Sequence, residues 1–205
     1  MSPRPIRILL AEDQSMVREA LAALLGLEPD IEVLAQVARG DEVVAAARAH
    51  DVNVALLDIE MPGMTGIEAA AALRDALPGI RIVILTTFGR PGYLRGAMEA
   101  GASAFLVKDA PAAQLADAVR RVLAGERVID PTLAAAALAE GANPLTERER
   151  EVLREAESGA TNAELAARLH LSPGTVRNYL STAIQKLAAR NRAEAVRTAR
   201  EKGWL

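Results

Sequence analysis

Residues 53–68 read NVALLDIEMPGMTGIE, and the order of residue types along them decides the fold. Asn53 to Asp58 hold an apolar run too short for a helix and without polar alternation, so they read as a strand buried on both faces that ends in an acid. Gly63 and Gly66 allow the chain a tight path after it, with Met61 and Met64 as packing residues. Thr65 and Glu68 then form a T-x-x-E capping box, the mark of a helix start. A buried strand, an acid-bearing loop and a capped helix make one β-α unit of a parallel sheet.

The same alternation extends outward from this unit. Upstream, IRILLA (Ile6 to Ala11) is a first strand ending in Glu12 and Asp13, and Val17, Leu21, Leu24 and Leu25 follow at helical spacing. IEVLAQV from Ile31 is a second strand, with an alanine-rich helix candidate beginning near Gly40. Downstream, RIVILTT (Arg81 to Thr87) is the fourth strand, AFLVK (Ala104 to Lys108) the fifth, and Leu115, Val119, Val122 and Leu123 mark an amphipathic helix. The expectation is an α/β doubly wound (βα)5 domain over residues 1–124, with a five-stranded parallel sheet covered by helices on both sides.

After Gly125 the pattern breaks. Residues 125–143 read as a linker with one short helix, capped by Asp130-Pro131 and stopped between Gly141 and Pro144. Residues 144–205 carry four helix starts, at Thr146 with Glu149, Thr161 with Glu164, Ser172-Pro173, and Asn191 with Glu194. An all-α four-helix domain is expected there.

Composition narrows the chemistry. At 205 residues, with roughly 150 per domain as a guide, the chain has room for two modest cores. It has no cysteine, which excludes disulfides, thiolate metal sites and thiol nucleophiles, and its two histidines, His50 and His170, read as solvent-facing or capping residues. No stretch approaches the ~20 apolar residues of a membrane span, and the N-terminus meets acids too soon for a signal peptide, so a cytoplasmic protein without membrane insertion is expected. Aromatics are only 2% of the chain, which disfavours single-stranded nucleic acid and its stacking platforms. The net charge of −3 hides a split, because from Ser172 onward Arg177, Lys186, Arg190, Arg192, Arg197, Arg200 and Lys202 face only Glu194 and Glu201. A polyanion fits that end.

Functional groups of a doubly wound sheet collect at the carboxyl ends of its strands. Those ends deliver Glu12 and Asp13, Asp58, Thr86 and Lys108. Carboxylates crowded in one crevice persist only if some protonate or a cation joins them. Magnesium suits hard oxygens, with Asp13, Asp58 and the backbone carbonyl of Glu60 as ligands beside Glu12. Lys108 offers a point charge and Thr86 a hydroxyl to a phosphoryl group carried on Asp58. With no proton-shuttling base, the pocket is equipped to accept a phosphoryl group and hold it, not to turn over as an enzyme; Glu60 and Phe88 flank it. A phosphohydrolase using Asp58 as nucleophile with Glu60 is the enzymatic alternative, and a repeatedly processed phosphoester would reveal it.

In the second domain Leu165, Ala166, Leu169 and Leu171 form an apolar face, followed by Ser172-Pro173-Gly174 and a longer helix, a helix-turn-helix pattern. Val176, Leu180, Ile184 and Leu187 fix the buried stripe of that helix. By elimination Arg177, Asn178, Ser181, Thr182, Gln185 and Lys186 face outward, a set suited to base edges and phosphates in a major groove. Thr175 at the helix start, with Thr161 and Asn162 on the preceding helix, completes the candidate contacts to double-stranded DNA.

The stretches LLAED, LLDIEMPGMTGIE, ILTTF and FLVKD resemble the receiver domains of two-component response regulators. That resemblance implies Asp58 as phosphoacceptor from a sensor histidine kinase, Glu12 and Asp13 as magnesium-site acids, Thr86 and Lys108 as the phosphate-sensing pair and Phe105 as the switch residue. Phe105 lacks the hydroxyl of the family's frequent tyrosine, and Asp109 stands where many receivers carry proline after the lysine. The segment from LTEREREVL through TNAELAARLHLSPGTVRNYLSTAIQKL to NRAEAV resembles the LuxR-type output domain, so the whole chain resembles the NarL/FixJ family, and its wording is similar to DesR-type members. Tyr179 and Ser181 depart from residues frequent in that family. The resemblance implies a homodimer reading half-sites roughly 10 base pairs apart, with Ala195 and Ala199 on a small-residue face open to a second copy. A regulator that binds DNA independently of phosphorylation is the alternative reading.

Overall fold

The apolar runs pair as parallel strands in the order β2-β1-β3-β4-β5-β6. Here β1 is Ile6–Ala11, β2 Ile31–Val37, β3 Val54–Asp58, β4 Arg81–Thr86, β5 Ala104–Val107 and β6 Val128–Ile129. The structure, a computed structural model, describes residues 5–87, 91–139 and 143–205. Phe88 and Gly141, both singled out in the sequence, lie outside these. The chain divides into two compact units, one holding the sheet over residues 1–89 and 94–135, the other made of residues 90–93 and 136–205.

The sheet has six strands, where five were expected. The sixth is Val128–Ile129, inside the stretch read as linker. It joins the edge beside β5 through Val128 N–H to Ser103 O at 3.0 Å and Asp130 N–H to Phe105 O at 3.3 Å. Two residues are too few to display any periodicity, so nothing in the local sequence separates this strand from a turn.

Every residue of β3 is buried, as is all but one of β1 and of β4, which agrees with central strands covered on both faces. β2 instead alternates buried and exposed positions, because it is the edge strand. Its register against β1 slips between Ile8 and Leu9, leaving Leu34 as an extra, exposed residue.

Five helices pack around the sheet: α1 (Ser15–Leu25), α2 (Val43–Ala49), α3 (Gly66–Ala76), α4 (Pro91–Glu99) and α5 (Ala112–Leu123). The helix expected near Gly40 begins as a single 3₁₀ turn over Gly40–Glu42 before α2. One core face gathers Ile6, Ile8 and Leu10 with Leu56, Val83 and Leu85 against Leu25 of α1 and Leu115, Val119 and Val122 of α5. Alternate strand residues such as Leu9, Leu57 and Ile84 are equally buried and point to the opposite side, as a two-residue repeat requires.

The capping box at the start of α3 forms as expected. Thr65 N–H donates to Glu68 Oε2 at 2.8 Å, and Glu68 N–H donates to Thr65 Oγ1 at 3.3 Å. Replacing Thr65 by alanine is expected to lower the stability of this unit by about 1 kcal/mol. The readout is a shift in urea midpoint at unchanged slope.

The second unit contains α7 (Glu147–Ala156), α8 (Asn162–Leu169), α9 (Pro173–Lys186) and α10 (Arg192–Glu201), after α6 (Pro131–Ala139), which starts on the Asp130 cap. Thr146, Thr161, Ser172 and Asn191 each cap the helix predicted for them. His170 ends α8 in the left-handed region at φ 55°, exposed, with its N–H donating back to Ala166 O. Val152, Leu153, Leu165, Val176, Leu180 and Ala183 fill the core. Ala195 and Ala199 are fully buried in that same core, which corrects their reading as a face open to a second copy. Alanines on an amphipathic helix serve close packing inside a domain as readily as between domains, and sequence spacing alone does not tell the two apart.

Candidate functional site

The first site forms where β1, β3, β4 and β5 end. Gly66 N–H donates to Ile59 O at 2.9 Å, so the first residue of α3 lies against the end of β3. A Cβ on Gly66 would stand 1.9 Å from the carbonyl oxygen of Asp58, so only glycine permits this approach. Gly63 sits at φ 80°, and a Cβ there would lie 2.6 Å from the Asp41 carboxylate. These two glycines hold the loop after Asp58 tightly folded.

Glu12, Asp58 and Thr86 are buried, while Asp13 is exposed at the rim. One carboxylate oxygen from each of Glu12, Asp13 and Asp58 lies within 4.8 Å of the others. Lys108, just past β5, reaches into this group with Nζ 2.8 Å from Asp58 Oδ1 and 2.5 Å from Glu12 Oε2. Lys108 N–H also donates to Thr86 O at 2.8 Å, which ties the lysine to the end of β4. Phe105, three residues earlier on β5, is fully buried. The Glu60 side chain is exposed beyond the end of β3.

Burial dominates the electrostatics. It pushes the Asp58 carboxyl above the usual aspartate value despite the opposing bond from Lys108. It pushes Glu12 up as well, with Lys108 opposing and the charge of Asp58 adding to the rise. For Lys108 burial works against the charge, but its bonds to Asp58 and Glu12 outweigh it, and the ammonium titrates above the usual lysine value. One ammonium therefore serves two buried carboxylates and leaves both short of compensation.

The donor set fits a hard divalent cation. Glu12 Oε2 is buried and charge-paired with Lys108, yet lacks a hydrogen bond of ordinary geometry. Asp13 adds a carboxylate open to solvent, and magnesium favours such a site of few carboxylates plus waters. Sequence reasoning missed Arg18, whose Nη1 donates to Glu12 O at 2.6 Å and pins the loop between β1 and α1. No local pattern marks it, since the contact links a helix residue to a backbone carbonyl.

The second site is the outer face of α9. Arg177, Asn178, Ser181, Thr182, Gln185 and Lys186 are all exposed on it, as elimination from the buried stripe required. Thr182 Oγ1 donates to Asn178 O at 3.0 Å. Thr161 and Thr175 sit at helix starts with their hydroxyls engaged, Thr161 with Glu164 at 2.9 Å and Thr175 with Ser172 at 2.8 Å. Asn162 is half-buried at the first position of α8. Lys186 departs from expectation, because its Nζ is 2.7 Å from Oε2 of the buried Glu149. The capping-box pattern located Glu149, but nothing in it announced a partner on α9.

Among the described residues, no helix is long and apolar enough to cross a membrane.

Residues 8–120 match the response regulator receiver domain family, and residues 143–199 match the luxR family of bacterial regulatory proteins. The chain is 46% identical to the transcriptional regulatory protein DesR of Bacillus subtilis, over 98% of this chain and 99% of that protein. It is 45% identical to the response regulator RamR of Streptomyces coelicolor, over 97% and 98% of the respective chains. Among solved structures, the response regulator ChrA of a heme-sensing two-component system aligns with a TM-score of 0.60 at 34% identity, covering 99% of this chain and all of that one.

Proposed function

This chain belongs to the two-component response regulators that join a receiver to a LuxR-type output domain, and on that premise we propose that phosphorylation of Asp58 by a sensor histidine kinase controls how tightly the output domain holds promoter DNA. The observation that carries the proposal is the Asp58 carboxylate, buried at a strand end and paired at 2.8 Å with Lys108 inside a three-acid pocket.

In the transfer, an Asp58 carboxylate oxygen attacks the phosphorus of the kinase phosphohistidine. The new P–O bond forms as the P–N bond breaks and the imidazole leaves. Lys108 already lies on Asp58 and balances negative charge on the incoming oxygens. Thr86, buried at the end of β4, offers its hydroxyl to the phosphoryl group once it is in place. Magnesium held by Glu12, Asp13, Asp58 and the Glu60 carbonyl supplies charge neutralisation for that group when bound. The acyl phosphate is held, not turned over.

Lys108 and Thr86 are joined through the backbone, and Phe105 lies on the same strand as the approach to Lys108. Movement of this pair toward the phosphoryl group repacks Phe105 and changes the receiver surface, which favours a homodimer. Dimerisation places two copies of α9 on successive half-sites, with Arg177, Asn178, Ser181, Thr182 and Gln185 toward base edges and Thr161, Asn162 and Thr175 toward phosphates. By linkage, a state that dimerises on phosphorylation binds DNA more tightly, and DNA in turn favours the phosphorylated state.

The test compares DNA affinity with and without acetyl phosphate and magnesium, using a duplex that the protein itself selects from a random-sequence pool. Tighter binding of about five-fold or more is expected on phosphorylation. Equal affinity in both conditions would leave the receiver as a dimerisation module without phosphate control.

A further inference from the structure

Glu149 is the buried acid of the output domain among the described residues, and DNA recognition as set out above makes no use of it. Its side chain is 5% exposed. A single oxygen, Oε2, accepts from the Thr146 backbone N–H at 2.7 Å and from Lys186 Nζ at 2.7 Å. Thr146 is the residue at which the chain enters α7, and Lys186 is the last residue of α9. One carboxylate oxygen thus fastens the first turn of α7 to the end of the helix that faces DNA.

In the alternative role for Lys186, neutralising a DNA phosphate, one ammonium would be shared between two anions, and a full move to the phosphate would break this pair. Glu149 would then stay buried without its counter-charge, and breaking a buried pair in this way is strongly unfavourable. Against the effect of burial, the bonds from Lys186 and Thr146 hold the Glu149 carboxyl below its usual range.

We infer that Lys186 is a positioning residue whose pair with Glu149 sets the seat of α9 on α7, and thereby the registry of Arg177, Asn178 and Gln185 on the bases. The inference rests on α9 being the DNA-reading helix, and the experiment separates the two.

Full-length protein, phosphorylated with acetyl phosphate, is titrated with the self-selected duplex and with random-sequence duplex over a series of KCl concentrations. Glu149→Gln keeps the cap, since glutamine also serves at that position, and deletes the charge. Lys186→Met keeps the stem and deletes the ammonium. Each is expected to weaken binding to the selected duplex roughly ten-fold, with the double variant no worse than the weaker single one. Lys186→Arg should retain most of the affinity. Binding to random duplex and the dependence of log affinity on log salt should stay as in the wild type, whereas a merely unstable domain would lose both kinds of binding.

The inference is overturned if Lys186→Met flattens the salt dependence by about 0.9, the signature of one lost phosphate contact, while Glu149→Gln binds normally. The unaltered protein offers an independent test. Reductive methylation of Lys186 should be slow with or without DNA, and fast modification that DNA blocks would overturn the pairing. Arg177→Ala runs in the same titration. If it binds like the wild type, α9 does not read the bases, whatever Lys186 does.

Discussion

Replacing Asp58 with asparagine is expected to reduce labelling by acetyl phosphate and magnesium to background, while the wild type is expected to gain one phosphoryl group per chain. The amide matches the carboxylate in shape but presents no anionic oxygen to phosphorus, so the nucleophile is lost without a cavity. The neighbouring acids are not expected to replace it. Glu12 is fully buried, with Oε1 accepting from Gln14 N–H and Oε2 against Lys108, and Asp13 is exposed at the rim, away from the lysine contacts. The variant should fold, because the neutral amide has the carboxylate's shape and Lys108 keeps Glu12 as its partner at 2.5 Å. Intact protein mass reads the outcome directly. Undiminished labelling of the variant would remove Asp58 from the mechanism. Repeated release of phosphate by the wild type from a phosphoester would instead favour a hydrolase built on the same aspartate.

The pocket was legible because strand ends are the most explicit positions in an α/β sequence. Apolar runs broken abruptly by Glu12-Asp13, by Asp58 and by Lys108 place those side chains at one rim of a parallel sheet as soon as the strands are recognised. Four helix starts in the output domain were equally explicit, since each carries a cap whose hydrogen bond is local. What escaped depends on contacts across the fold. Val128–Ile129 becomes a strand only because β5 offers an open edge. Lys186 looks like a free cation on an exposed face until Glu149, 37 residues earlier, is brought beneath it. Ala195 and Ala199 have the same spacing whether they meet their own core or another chain, and burial alone assigns them to the former. Periodicity says which face is apolar, and only tertiary structure says what covers it.

Replacing Lys108 with methionine is expected to destabilise the receiver by about 3 kcal/mol at neutral pH, as for a buried pair that loses one partner. The pH dependence of that loss tests its origin. Glu12 and Asp58 already titrate above their ordinary values in the wild type, burial being the first cause in each, and Lys108 is the group that opposes the rise in both. A carboxyl whose folded-state pKa is raised contributes its stability in full below the unfolded value, about 4, and loses it as pH rises through the folded value. Without Lys108 both carboxyls rise further, so the folded variant holds its protons to higher pH and its deficit grows from near pH 4 toward neutrality. Near pH 4 and below, the comparison narrows or reverses, because the wild type then buries an ammonium beside neutral acids. Urea unfolding of both proteins across this range measures the difference. A deficit that stayed constant with pH would mean that the lysine stem, and not its charge, holds the strand ends together. Magnesium added at neutral pH should narrow the gap, since a cation among Glu12, Asp13 and Asp58 replaces the charge that the substitution removes.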